Sequence, residues 1–157
     1  MRGIDQLLHE HPFFVGLEPE ALALIAGCAA NRHFPPDEYL FHEGDPAETF
    51  FVIRHGRVAI EAHRPAGPAS VVETVEEGEV LGASWLVPPH RWRFDARAVT
   101  STRVVVFDGA CLRRHCDEDP ELGYALTLRV AQVLHARLEA NRIRLLDLYG
   151  TPDALRR

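Results

Sequence analysis

Arg91-Trp92-Arg93 sets two guanidinium groups on either side of an indole. Arginine pairs with oxyanions through a planar fork of donors, and an indole offers a broad apolar face. Just upstream, Gly82-Ala83-Ser84-Trp85-Leu86 brings a glycine and a second indole. A third group, Cys111-Leu-Arg-Arg-His115-Cys116, places a thiol and an imidazole four residues apart. On a helix that spacing shares one face. A four-ligand metal site would need a partner group that this segment does not supply. The alternative is a helix end with one buried and one exposed thiol. His9, His11 and His42 could ligate haem or a metal but carry no local signature for it. Cys28 stands alone near the N-terminus, where an iron–sulfur site would need a cysteine cluster. Nucleophile elbow, Walker loop and paired-carboxylate motifs are absent from the sequence. Glu76, Glu77 and Glu79 read as a solvated loop, and Glu43 and Asp45 as turn residues. An enzyme is not expected.

The chain of 157 residues has the size of one domain, and 46% hydrophobic residues are enough for a sizeable core. Its formal charge of −6 argues against broad binding to nucleic acid or an anionic membrane. No apolar run reaches membrane-spanning length, and MRGIDQLLHEHPFF lacks the pattern of a secretory signal. Three unevenly spaced cysteines suggest reduced thiols in a cytoplasmic protein. Every one of the 17 basic residues is arginine, which bears on genome composition rather than function.

Three regions must position these residues within one domain, 1–157. The first, 1–32, reads as helices. Leu7, Leu8, Phe13 and Phe14 are apolar, Gly16 interrupts, and Pro19 opens a second helix. The second, 33–110, shows turn signals about every ten residues, among them Gly44-Asp45-Pro46, His55-Gly56 and Glu77-Gly78. Short strands between such turns predict an antiparallel roll. The third, 111–149, is helical again, with Asp117 or Asp119 as the cap. Leu126, Val130 and Val133 form one stripe. Leu134, Leu138, Asn141, Leu145 and Leu148 form another, at alternating steps of four and three. That is coiled-coil spacing with one polar core position, so a homodimer through this helix is expected. Residues 150–157 read as a tail, disordered from Thr151 onward.

The fold class is therefore α+β, mainly β: an antiparallel jelly-roll, or double-stranded β-helix, with N-terminal helices and a long C-terminal helix. The order of elements resembles the cyclic nucleotide-binding domain family from about Phe13 to Leu148. The resemblance rests on Gly44, Phe51-Val52-Ile53, Gly56 with Val58, and Gly78-Glu79 leading to Leu81-Gly82. The chain resembles the sensor half of regulators of the catabolite activator type. In those a winged helix-turn-helix follows the long helix, whereas here the sequence ends about ten residues later. Direct DNA binding is not expected.

The resemblance also implies a phosphate-binding cassette, read roughly as Gly-Glu-x-Ala/Gly-Leu and later Arg-Ser/Thr/Ala-Ala. Its arginine holds the ligand phosphate and its glutamate the ribose 2′-hydroxyl. Gly82 matches, Ala83 stands at the glutamate position, and counting back from Arg97-Ala98 puts Trp92 at the arginine position. Arg91 and Arg93 flank it. In this register the long helix brings Arg137 and Leu138 to the ligand. Strand alternation turns Trp92, Phe94 and Ala96 to one face and Arg93, Asp95 and Arg97 to the other. Three readings stay open. Trp85 and Trp92 plug the pocket, line it for a flatter or more apolar ligand, or accompany cyclic AMP or cyclic GMP with Arg91 or Arg93 on its phosphate. The candidate ligand-binding residues are Gly82, Ala83, Ser84, Trp85, Arg91, Trp92, Arg93 and Arg137. The function implied is a non-enzymatic small-molecule sensor that signals through its long helix to an unidentified protein partner. The alternative is a ligand-free assembly protein.

Overall fold

The computed structural model describes residues 2–149. Two helices, α1 (Arg2–Glu10) and α2 (Pro19–Ala26), come first. Eight strands follow: β1 (Ala29–Phe34), β2 (Tyr39–Phe41), β3 (Thr49–His55), β4 (Val58–Ala62), β5 (Ser70–Val75), β6 (Val80–Leu81), β7 (Asp95–Ala98) and β8 (Thr102–Asp108). Two helices, α3 (Gly109–Glu118) and α4 (Pro120–Tyr149), close the described chain. The strands form two antiparallel four-stranded sheets, β1-β8-β3-β6 and β2-β7-β4-β5. This is the mainly β roll with flanking helices that turn spacing predicts. The expected tail, 151–157, lies outside the described residues.

In the first sheet, strand β3 is buried on both faces. Along β3, Phe51 and Ile53 face the second sheet, where they meet Val58, Ile60, Val75, Ala96 and Ala98. Phe50 and Val52 face the helices, where they meet Phe13, Phe14, Trp85, Leu112, Leu122 and Leu126. A strand covered on both sides needs a continuous apolar run, which Phe50-Phe51-Val52-Ile53 supplies. The second sheet turns its other face to solvent and shows polar residues there. Glu61 and Asp95 sit on that face yet are buried under their neighbours. Arg97 pairs with Glu61 at 3.1 Å and Asp37 at 2.9 Å, and the Tyr39 hydroxyl donates to Glu61. Asp95 accepts from the Glu43 amide at 2.6 Å and contacts His42 and His63.

Three sequence expectations are corrected. The first strand begins at Ala29, earlier than His33, because the whole of Ala29–Phe34 pairs with the central strand β8. Phe94 is exposed rather than inward, because the regular strand starts only at Asp95 and alternation does not reach back past it. Cys28 and Cys111 are joined in a disulfide, whereas uneven spacing suggested reduced thiols. The bond links residues 83 apart in sequence, at the α2–β1 corner and in the first turn of α3. Cys116 alone is free.

The helix starts follow local chemistry. Pro19 opens α2 and Pro120 opens α4, where a missing N–H costs nothing. Asp119 caps α4 by accepting from the amides of Glu121 and Leu122. Within α4, Leu122, Leu126 and Val130 are buried against the domain. From Leu134 onward the helix runs outward, with Leu138, Ile143, Leu145, Leu146 and Leu148 all exposed. Its 30 residues span ~45 Å. Among the described residues no helix is long and apolar enough to cross a membrane.

Candidate functional site

The segment between β6 and β7 carries most of the candidate residues. Gly82 leaves β6 with φ +98°, a left-handed conformation that suits glycine. One tight turn follows, in which the amides of Leu86 and Val87 donate to the Ala83 carbonyl. The chain then crosses to the Gly44-Asp45 turn. There the Trp92 amide donates to the Asp45 carbonyl at 3.0 Å, and the Gly44 amide donates to the Trp92 carbonyl at 2.8 Å. Arg91 donates to the Gly44 carbonyl at 2.9 Å. The two halves of the roll are thus laced at Trp92.

Its indole enters the space between the sheets. Trp92 is 6% exposed and stacks on Phe41, with ring centroids 3.7 Å apart and planes 8° from parallel. It also tilts against Phe51. Gly82 is the floor beneath it, since a Cβ there would stand 2.8 Å from Trp92 Cη2. Trp85 takes the opposite direction. It is fully buried on the helix side of the first sheet, 5.7 Å from the Phe50 ring, and its carbonyl accepts from Arg113. Trp85 Nε1 is buried without a partner. The two indoles therefore occupy separate cores and do not share a pocket.

The remaining candidates divide. Ala83 and Ser84 are half-buried beside Trp85, while Arg91 and Arg93 are exposed at the rim. Arg137 comes in from α4, donates to the Val80 carbonyl and lies 3.7 Å from Glu73. Leu138, beside it, is 48% exposed. Between the Gly78–Val80 corner and α4 lies an open cleft of about 350 Å³, lined by His11, Phe13, Val80, Arg129, Val133 and Arg137 among others. His11 Nε2 meets the Gly78 carbonyl at 2.7 Å, and Arg129 donates to the Val15 carbonyl at 2.8 Å. The sequence singled out Arg137 for the ligand and His11 for haem or a metal, whereas Arg129, which lines the same cleft, was not among the candidates.

A further set of groups converges on the other side. Cys28, Cys111 and His115 each bring one ligand atom within 4.8 Å of the others. The i, i+4 pairing of Cys111 with His115 was legible, whereas the contribution of Cys28 was not.

Comparison with known proteins gives these features a context. The family model for the cyclic nucleotide-binding domain matches residues 31–119. The chain belongs to the cyclic nucleotide-binding domain family. Members similar to it include a CRP-like cAMP-activated global transcriptional regulator of Mycobacterium tuberculosis, 27% identical over 148 residues. That alignment covers 94% of this chain and 64% of the regulator, so the chain spans less than two thirds of its relative's length. A crystal structure from Geobacter metallireducens GS-15, described as a cyclic nucleotide-binding protein, superposes with a TM-score of 0.79 at 30% identity. It covers 85% of this chain and 97% of that one. The sensor domain of the transcriptional regulator DNR from Pseudomonas aeruginosa shares the fold, with a TM-score of 0.71 at 24% identity over 88% and 93% of the two chains. The family match runs from β1 to the α3–α4 junction, and the alignment with the Mycobacterium tuberculosis regulator extends beyond it, to 94% of this chain.

Proposed function

We propose that this chain is a non-enzymatic regulatory module of the cyclic nucleotide-binding family whose phosphate cassette no longer accepts a cyclic nucleotide. The observation that carries this reading is Trp92, buried between the sheets and stacked on Phe41, at the residue that the family resemblance aligns with the cassette's arginine. Ala83, at the glutamate position, offers no acceptor for a ribose hydroxyl. Each lost charge-assisted contact costs about 1.5–3 kcal/mol. Two together lower affinity by roughly 10² to 10⁴.

A sensed molecule enters instead the cleft between the Gly78–Val80 corner and α4. Phe13, Val80 and Val133 give it an apolar wall, and Arg129 and Arg137 set two guanidinium groups against the single carboxylate of Glu79. A small apolar molecule carrying one anionic group suits that lining. Occupancy there bears on the last buried turn of α4, and it shifts the helix by no more than the ligand's differential affinity for two dispositions. The outer half of α4 pairs with a second copy through Leu134, Leu138, Asn141, Leu145 and Leu148. A partner protein reads the pair.

Titration with cyclic AMP and cyclic GMP, followed by calorimetry and tryptophan fluorescence, tests the closed cassette. The expected result is no saturable binding below about 100 µM, or about −5.5 kcal/mol. Saturable binding in that range with a change in emission overturns it. The second reading, an assembly protein without a small ligand, draws on Arg137, already held by Val80 and Glu73. A thermal-shift screen of small amphiphilic anions separates the two. A hit lost in Arg137→Ala favours the sensor, and no hit at millimolar concentration favours assembly.

A further inference from the structure

We propose that Cys28, Cys111 and His115 form a site for a thiophilic divalent cation of the Zn²⁺ type, closed when the two sulfurs are joined and open when they are reduced. The geometry is that of a ligand set. All three donor atoms lie within 4.8 Å of one another. Zinc held at about 2.3 Å from sulfur and about 2.0 Å from nitrogen sets its ligands roughly 3.5–3.8 Å apart, so the two sulfurs, bonded to each other here, part on reduction while His115 already stands within reach of both. The three residues come from two elements that the fold already holds together. Cys111 and His115 lie one turn apart on α3, and Cys28 sits opposite at the α2–β1 corner with a Cα–Cα separation of 5.8 Å from Cys111.

The chemistry of the set selects the cation. Two thiolates and one imidazole favour zinc and related soft metals over magnesium or calcium. The two thiolates neutralise the dication. Arg114 Nη2 lies 3.7 Å from Cys111 Sγ and favours the thiolate once the sulfurs part. The fourth position falls to water, because Cys111 and His115 are only partly buried. Cys116 does not supply it: its Cβ faces α4, where it packs 3.3 Å from the Cβ position of Gly123. A surface cleft of about 530 Å³, lined by Cys28, Glu48, Asp108 and Arg113 among others, approaches the disulfide from the Cys28 side.

The interconversion balances with a dithiol as reductant. One reductant thiolate attacks a protein sulfur and forms a mixed disulfide. The second reductant thiol closes the reductant's own disulfide and frees both cysteines as thiols. Binding of M²⁺ then displaces two protons, one from each thiol, to give M(S-Cys)₂(His). Both states tie α3, and with it the start of α4, to the α2–β1 corner. The reduced, metal-free state alone leaves α3 held by packing.

The test uses the full chain reduced with dithiothreitol, freed of reductant by anaerobic gel filtration, and titrated with Co²⁺ and then Zn²⁺. The expected result is one equivalent of Co²⁺ with sulfur-to-cobalt charge-transfer absorption, displaced by Zn²⁺, and no binding by the oxidised chain. His115→Ala weakens binding by about 10–100-fold, and Cys116→Ser leaves it unchanged. A variant-free readout is thiol footprinting by mass spectrometry, in which Zn²⁺ protects Cys28 and Cys111 but not Cys116. Absence of stoichiometric Co²⁺ binding by the reduced chain overturns the proposal. So does protection of Cys116 in place of Cys28, or binding that survives His115→Ala undiminished.

Discussion

Gly82 and Trp92 are matched across the segment between β6 and β7: the glycine has no side chain where the indole edge lies, 2.8 Å from the place a Cβ would take. The pair gives the glycine at the exit of β6 a packing reason beside its conformational one. It serves the indole as well as the turn.

Gly82→Ala therefore combines two penalties, a left-handed φ of +98° and overlap with Trp92. Together they cost about 2–4 kcal/mol. In a Trp92→Leu background the overlap disappears and only the backbone strain remains. Urea unfolding of the two single variants and the double variant measures this as a coupling of about 1–2 kcal/mol. Strict additivity would mean that the two residues do not meet as described.

A second glycine comparison separates crowding from conformation. Gly56 and Gly78 both have positive φ, +104° and +85°. A Cβ on Gly56 would lie 2.6 Å from Thr102 Oγ1 and 2.7 Å from the Ser101 carbonyl, while Gly78 has open space. Gly78→Ala should cost about 1 kcal/mol, and Gly56→Ala about 2–4 kcal/mol. Equal destabilisation of the two variants in denaturant melts would argue against the tight Gly56 corner.

The roll was legible because its corners and strands use strong local signals. Turns at Gly44, Gly56 and Gly78 bracket runs such as Phe50-Phe51-Val52-Ile53, and a strand buried on both faces can look no other way. Trp92 was rightly placed on the inward face beside Ala96. Phe94 was not, since the chain between them is irregular and has no fixed period. Cys28 and Cys111 illustrate the wider limit. Nothing local joins residues 83 apart, and their meeting depends on how β1 and β8 pair across the whole sheet. The buried carboxylates of Glu61 and Asp95 were equally silent, because their partners, Tyr39 and Arg97 for Glu61 and the Glu43 amide for Asp95, are distant in sequence or brought near only by strand pairing.

The outer half of α4 offers a direct test of pairing. Leu138 and Leu145 are 48% and 54% exposed, so charged substitutions there leave the described core intact. Leu138→Glu with Leu145→Glu should convert a dimer to a monomer at micromolar concentration in light scattering, with an unchanged far-ultraviolet spectrum. A wild-type chain that is already monomeric at that concentration would refute pairing through this helix.

Tyr39 gives the outer face a dependence on alkaline pH. Burial raises its pKa above the ordinary 10.0, and the charge and hydrogen bond of Glu61 raise it further. A raised folded pKa means that the folded state holds the proton more tightly. The stabilisation is complete below pH 10 and is lost as pH rises through the folded pKa. Tyr39→Phe should flatten the stability profile above pH 10. Absorbance titration of the phenolates should show a midpoint raised above the ordinary 10.0 disappear in this variant. An unaltered profile would remove Glu61 as its partner.

Cys116 provides the last prediction, and it bears on which thiol responds to reagents. Burial is the largest cause that lifts its pKa above the ordinary 9.0, followed by the charges of Asp117 and Asp119. The thiolate is the nucleophile, so the non-reduced chain should react with iodoacetamide more slowly than a free cysteine peptide at pH 8. The rate should climb as pH rises through the folded pKa. The stabilisation that accompanies the neutral thiol is present below pH 9 and is lost over the same rise. Asp117→Asn removes the second cause alone and should speed alkylation by less than about tenfold, because burial remains. Asp119 is the wrong residue for this test, since its carboxylate also caps α4. Peptide mass mapping of the alkylated chain reads the rate at Cys116 directly. Alkylation as fast as the free peptide would mean that the thiol is neither buried nor flanked by charge as the packing against Gly123 requires.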